Sequence, residues 1–254
     1  MTHNPLNLKL MLVGVALLAT LHAQGRGIRL LGTEAGRPGK LVTGAPYSAD
    51  ISNETTRTLP DGNTIHQLSS GHVYRDSQGR TREEAPLQAL GAAAQGTSAP
   101  RLAFISDPVA STSYVLDMVK HAATRTAWRQ TPGRGPANFS ARRPHADGAN
   151  IKRESLGTQV MGGLVVEGTR TTNTIPAGQI GNAQAISIVS ERWYSPDLQV
   201  VVYSKRSDPR QGDTVYQLTN ISRSEPAASL FAVPADYPLT DAQAHMRGRG
   251  PGVQ

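Results

Sequence analysis

The chain of 254 residues contains no cysteine. That excludes disulfides, thiolate metal sites, a cysteine nucleophile and a lipid-modified N-terminal cysteine. Phosphate-cradling motifs are absent as well. There is no GxGxxG and no GxxxxGK[ST], and Gly25-Arg26-Gly27 and Gly133-Arg134-Gly135 sit in irregular sequence instead of opening a helix. A GxSxG elbow, an SxxK motif and a convincing Ser-His-Asp set are also missing. The seven histidines form no HxH or HExxH pattern, and no close set of histidines and acids looks like a ligand group. The sequence therefore implies no metal and no cofactor. After the first two dozen residues no stretch is apolar over the ~20 residues that a bilayer requires.

Those first residues carry the clearest signal that is present. Lys9 closes a short basic region, Leu10 to Leu21 is an uncharged apolar core, and Ala23 offers a cleavage point before Gln24. Residues 1–23 thus read as a signal peptide, which places the mature chain in the periplasm or outside the cell. No transmembrane span is expected after its removal.

The net charge of +7 is concentrated in one place. Between Lys120 and Arg153 lie eight basic residues (Lys120, Arg125, Arg129, Arg134, Arg142, Arg143, Lys152, Arg153) against the single acid Asp147, so the rest of the chain is close to neutral. Residues 129–151 are dominated by Gly, Pro, Ala, Ser, Asn and Arg and read as a disordered basic loop. Such a loop is either a solvated linker or a contact for an anionic envelope surface. With no recognised module and few stacking aromatics, nucleic acid is not an expected partner.

Elsewhere the pattern is one of hairpins. Pro60-Asp61-Gly62-Asn63 separates two strand candidates, and Asp76-Ser77-Gln78-Gly79 separates the next pair. Ser106-Asp107-Pro108, Gly162-Gly163, Ser195-Pro196-Asp197 and Ser207 to Asp213 supply further turns. Turn residues recur with few crossover helices between them, which predicts a meander. The predicted fold is mainly β, a curved antiparallel sheet or half-barrel with short helical elements. Residues 24–48 read as an irregular arm, 49–239 as one β-rich domain, and 240–254 as a flexible tail.

Several strings carry a resemblance. ESLGTQ, EGTRTTNTIPAGQIGN, SERWYSPDLQVVVYSKRSDPRQGDTVYQLTNI and EPAASLFAVPADY, preceded by PYSAD, LPDGNTI, YRDSQGRTRE and ISDPVASTSYVLD, resemble a recurrent family of uncharacterised exported acidobacterial proteins. More distantly, the successive hairpins, the RDSxGRxR-like turn and the C-terminal aromatic segment are similar to the periplasmic fold of lipoprotein carriers and sigma-regulator sensor proteins. That similarity implies a curved sheet partly enclosing an apolar hollow, and it leaves function open.

The candidate site residues follow from alternation. In Glu191-Arg192-Trp193-Tyr194, Glu191 and Trp193 share one face while Arg192 and Tyr194 share the other. Val200 and Val202 alternate with Val201 and Tyr203, so both faces of that strand are apolar. It is either a central covered strand or the wall of an apolar cavity, and in the second case Trp193, Tyr194, Val200, Val202 and Tyr216 would meet the ligand. Surface contacts would fall to Arg125, Arg129, Arg134, Arg142, Arg143 and Arg192. The reading is a non-catalytic periplasmic or cell-envelope protein that binds an apolar ligand or an envelope protein. Two alternatives stand beside it: a secreted polymer hydrolase using Glu167, Glu191 and Asp213, and a structural envelope module using the basic loop.

Overall fold

A computed structural model describes residues 41–86, 101–127 and 150–242. The expected signal peptide, most of the arm, the basic loop apart from Asn150 and Ile151, and residues 243–254 lie outside them. The described residues form twelve strands: β1 (Tyr47–Thr58), β2 (Thr64–Arg75), β3 (Thr81–Pro86), β4 (Arg101–Asp107), β5 (Thr112–Asp117), β6 (Ala122–Ala127), β7 (Ile151–Met161), β8 (Leu164–Ile175), β9 (Ile186–Ser195), β10 (Val200–Asp208), β11 (Gly212–Ser222) and β12 (Leu239–Asp241). They form one sheet in the order β12-β6-β5-β4-β3-β2-β1-β11-β10-β9-β8-β7. Two meanders, β1 to β6 and β7 to β11, are joined by antiparallel pairing of β1 with β11. Among these described strands only β12 runs parallel to its neighbour, β6.

Mainly β and antiparallel are thus correct, but the strongly curved or half-barrel form and the short helical elements are not. The sheet is open, ending at β12 on one side and at β7 on the other. The helical content of the described residues is one 3₁₀ turn, η1 (Ala228–Phe231), between Pro226 and Pro234. The arrangement of the core explains the open form. Directly paired residues project from the same face of a sheet, and Tyr47, Ala49 and Ile51 of β1 therefore share a face with Val73 of β2 and Leu218 of β11. These belong to a large buried cluster that also takes in Leu164, Val166, Leu198, Val200, Val201, Val202 and Tyr216. Ala103, Ile105, Leu116 and Ala123 form a second cluster. Ile105 pairs with Arg82, whereas Val73 pairs with Glu83, so the second cluster lies on the opposite face. A half-barrel gathers its apolar residues on one concave side. Here the buried side changes at β3.

The C-terminal segment covers the second cluster. Val233 and Tyr237 pack against it, Arg82 donates to the Leu230 carbonyl at 3.0 Å, and β12 then seals the β6 edge. Thr240 and Asp241, expected in a flexible tail, are strand residues for this reason, and Arg125 holds Asp241 through two bonds of 2.7 and 2.9 Å. At the other boundary β1 starts at Tyr47, two residues inside the expected arm.

One hairpin design recurs four times. Asp107, Asp117, Ser195 and Asp208 each end a strand and accept backbone N–H bonds from their own turns. Four positions later stands a residue with positive φ: Ser111, His121, Gln199 and Gly212. The capping oxygen satisfies amides that the tight turn leaves unpaired. Asp107 and Asp208 are therefore spent on backbone geometry.

Candidate functional site

The turn between β2 and β3 organises the site. Asp76 is buried and accepts the Arg80 backbone N–H at 2.8 Å and the Arg80 Nε at 2.5 Å. Gly79 has φ +84°, and a Cβ there would lie 2.6 Å from the Leu41 side chain and 2.8 Å from the Val42 carbonyl. This tight turn sends Arg75 into the larger cluster, where it is 5% exposed. Its guanidinium donates to the Ala45 carbonyl (2.9 and 2.7 Å) and the Leu198 carbonyl (2.5 Å), and lies 4.7 Å from the centre of the Tyr47 ring. Burial pushes the Tyr47 phenol up to about 12, against the opposing influence of Arg75. Burial also lowers Arg75 itself. One side chain thus ties the entering chain and the β9–β10 turn to β2.

The expected ligand residues gather on this same cluster, at different depths. Val200, Val202 and Tyr216 are 2–3% exposed and fill it. Val201 is buried beside them because β10 slips register between Val201 and Tyr203, a bulge that places three consecutive valines in the core. Trp193 and Tyr194 are half-buried against its side. The Trp193 ring lies over Gly168, where a Cβ would sit 2.6 Å from two ring carbons. The Arg192 guanidinium lies 5.2 Å from the Tyr194 ring centre, as their shared strand face requires. Of the expected surface arginines, Arg125 is engaged with Asp241. Arg129, Arg134, Arg142 and Arg143 lie outside the described residues.

The three carboxylates of the hydrolase alternative do not converge. Glu191 pairs across the sheet with Arg170 on β8 (2.6 Å) and stands opposite Lys205 on β10, which in turn holds Asp213 at 3.2 Å. Positive and negative groups alternate along this row, an arrangement that stabilises cross-strand neighbours. Glu167 stands opposite Tyr194, three positions along β9 from Glu191, and so projects from the other face. His66 and His72 are exposed on β2 and each meets one carboxylate, Glu54 at 2.8 Å and Asp50 at 2.7 Å. Asn220 also donates to Asp50, and this bond, ahead of His72, holds the Asp50 carboxyl below its usual range. A cleft of about 390 Å³ beside this group is lined in part by His72, Glu84, Arg101 and Met118.

Sequence reasoning missed Arg75 and Glu83. Glu83 stands opposite Val73 on β2 and Phe104 on β4 and is 6% exposed. Burial raises its carboxyl from the ordinary 4.5 to about 7. A Thr-Arg-Glu-Glu run reads locally as a wet strand, and only the placement of β3 between the two clusters buries it.

No protein-family model matches the chain, and no curated protein matches it in sequence. Among solved structures it is similar to an uncharacterized conserved protein from Thermus thermophilus, with TM-score 0.42, 9% identity, and coverage of 78% of this chain and 90% of that one. Similar values hold for the MucA/MucB complex of Pseudomonas aeruginosa (TM-score 0.43, 11% identity), where the match takes in 76% of this chain but only 57% of its counterpart. LprF from Mycobacterium bovis gives TM-score 0.32 at 14% identity, covering 76% of this chain and 90% of LprF. These are distant likenesses of strand layout, and at such scores they assign neither ligand nor partner.

Proposed function

We propose that this chain is a non-catalytic protein of the cell envelope that binds an apolar or amphipathic molecule on the face of the sheet carrying the larger cluster. One observation carries the reading. The apolar row on that face does not stop where the buried cluster stops: past Val73 and Glu83 it continues through Phe104 and Val115, which are only half-buried and belong to neither cluster. Two apolar side chains left half-covered beside a filled core leave apolar area still to bury.

In this reading Val200, Val202 and Tyr216 belong to the filled core, and Trp193 and Tyr194 pack against that core on β9, several strands away from Phe104 and Val115. The separation of Glu167 from Glu191 and Asp213 removes the carboxylate constellation that a hydrolase would have used. The apolar N-terminal segment ending at Ala23, and the resemblance to exported acidobacterial proteins, support a periplasmic or extracellular location. The test is organic extraction of the protein purified from envelope fractions, followed by mass spectrometry. A stoichiometric apolar compound supports the reading. An empty protein that also fails to take up labelled lipids overturns it.

A further inference from the structure

Among the described residues six polar or charged side chains are buried: Arg75, Asp76, Arg82, Glu83, Ser195 and Asp208. Five have partners. Arg75 donates to two carbonyls, Asp76 accepts from Arg80, Arg82 donates to Glu84 and to Leu230, the Ser195 hydroxyl accepts from Leu198, and Asp208 accepts from Arg206 and Arg210. Glu83 alone has no hydrogen-bond or ion-pair partner among the described residues. A carboxyl 6% exposed and without a partner carries a desolvation cost that no described side chain offsets.

The ionisable groups around Glu83 do not supply one. Arg75 is close in the register on β2, yet its guanidinium is turned to Ala45 and Leu198. Tyr47 on β1 is a neutral phenol. Asp117, at the far end of β5 on the same face, carries the same charge as an ionised Glu83 and is occupied by the backbone N–H groups of Val119 and Lys120. On β4 the direct partner is Phe104, and beyond it on β5 is Val115.

We propose that Glu83 is the polar anchor of a ligand site on this face, and that the ligand is an amphiphile with a primary ammonium head and an apolar tail. The carboxylate supplies the charge that an ammonium requires, and in a low-dielectric setting such a charge-assisted hydrogen bond is stronger than in water. The half-buried Phe104 and Val115 supply the surface for the tail. A bare metal ion does not fit, because no group of three or more His, Asp or Glu residues is assembled among the described residues. Burial raises the carboxyl toward neutrality, and a bound ammonium draws it back to the ionised form.

This inference rests on the apolar-ligand reading above. Its test uses the full chain, titrated calorimetrically at pH 7 with dodecylammonium and with dodecanol, both below their aggregation concentrations. The wild type binds the amine about tenfold or more tightly than the alcohol, a difference that one buried ion pair readily supplies. Glu83→Gln, checked for folding by its thermal transition, loses that preference and keeps its alcohol affinity. Phe104→Ala weakens both. Equal affinities for amine and alcohol in the wild type, or an unchanged preference in Glu83→Gln, overturn the anchor while leaving the apolar-ligand reading intact. Failure of the wild type to bind either probe overturns both.

Discussion

Replacing Glu83 by Gln changes how stability depends on pH, with a sign and size that follow from burial. In the unfolded chain this carboxyl ionises near the ordinary 4.5, and in the folded chain at about 7. Between those values the folded protein retains a proton that the unfolded protein has released. Raising the pH through this window therefore favours unfolding, and the loss is complete above the folded value. The interval corresponds to about 3 kcal/mol. Gln has nearly the same shape and no proton to lose. The difference in unfolding free energy between variant and wild type should start near a constant offset below pH 4.5 and shift by about 3 kcal/mol in favour of the variant by pH 8. Urea unfolding followed by circular dichroism at five pH values between 4 and 8 measures this. The carboxyls held below their usual range, Asp50 and Asp208, titrate at the acid end and are common to both proteins. Parallel profiles for the two proteins would refute the reasoning and place Glu83 in water or beside a cation.

Other perturbations test separate parts of the fold. Arg75→Met leaves the Ala45 and Leu198 carbonyls without their donor and should cost about 2–4 kcal/mol in chemical unfolding; no loss would mean that the clamp is dispensable. Gly212→Ala, at φ +91° with a Cβ 2.1 Å from the Thr56 carbonyl, should cost more than about 2 kcal/mol or abolish folding, read by thermal melting. Ser111→Gly relieves a left-handed residue in an exposed turn and should stabilise by about 0.5–1 kcal/mol. Arg125→Ala removes an exposed ion pair with Asp241 and should change stability by no more than about 1 kcal/mol. A larger loss would show that β12 is a principal support of the second cluster.

The local architecture was readable because turn chemistry is local. Pro60-Asp61-Gly62-Asn63, Gly162-Gly163 and Ser195-Pro196-Asp197 each mark a hairpin that forms, since Gly accepts positive φ and Asp or Ser caps the freed amides. The pairing of β1 with β11 was not readable. It joins residues far apart in sequence, and no local preference encodes which edge meets which. The change of buried face at β3 depends on that placement, as does the burial of Arg75 and Glu83. Alternation did put Arg192 and Tyr194 together, but it could not anticipate the bulge that buries Val201 beside Val200 and Val202. The short β12 was invisible for a related reason. Leu-Thr-Asp has no strand signature of its own and becomes a strand because β6 offers an open edge.

Ligand binding is assigned to the face running from Val73 through Glu83 to Phe104 and Val115. Methyl-labelled nuclear magnetic resonance during titration with dodecylammonium tests it directly. Saturable shifts are expected at Val73 and Val115, with Ile105 and Leu116 on the opposite face unmoved. Shifts confined to Ile105 and Leu116, or no saturable shift at any methyl, would contradict it.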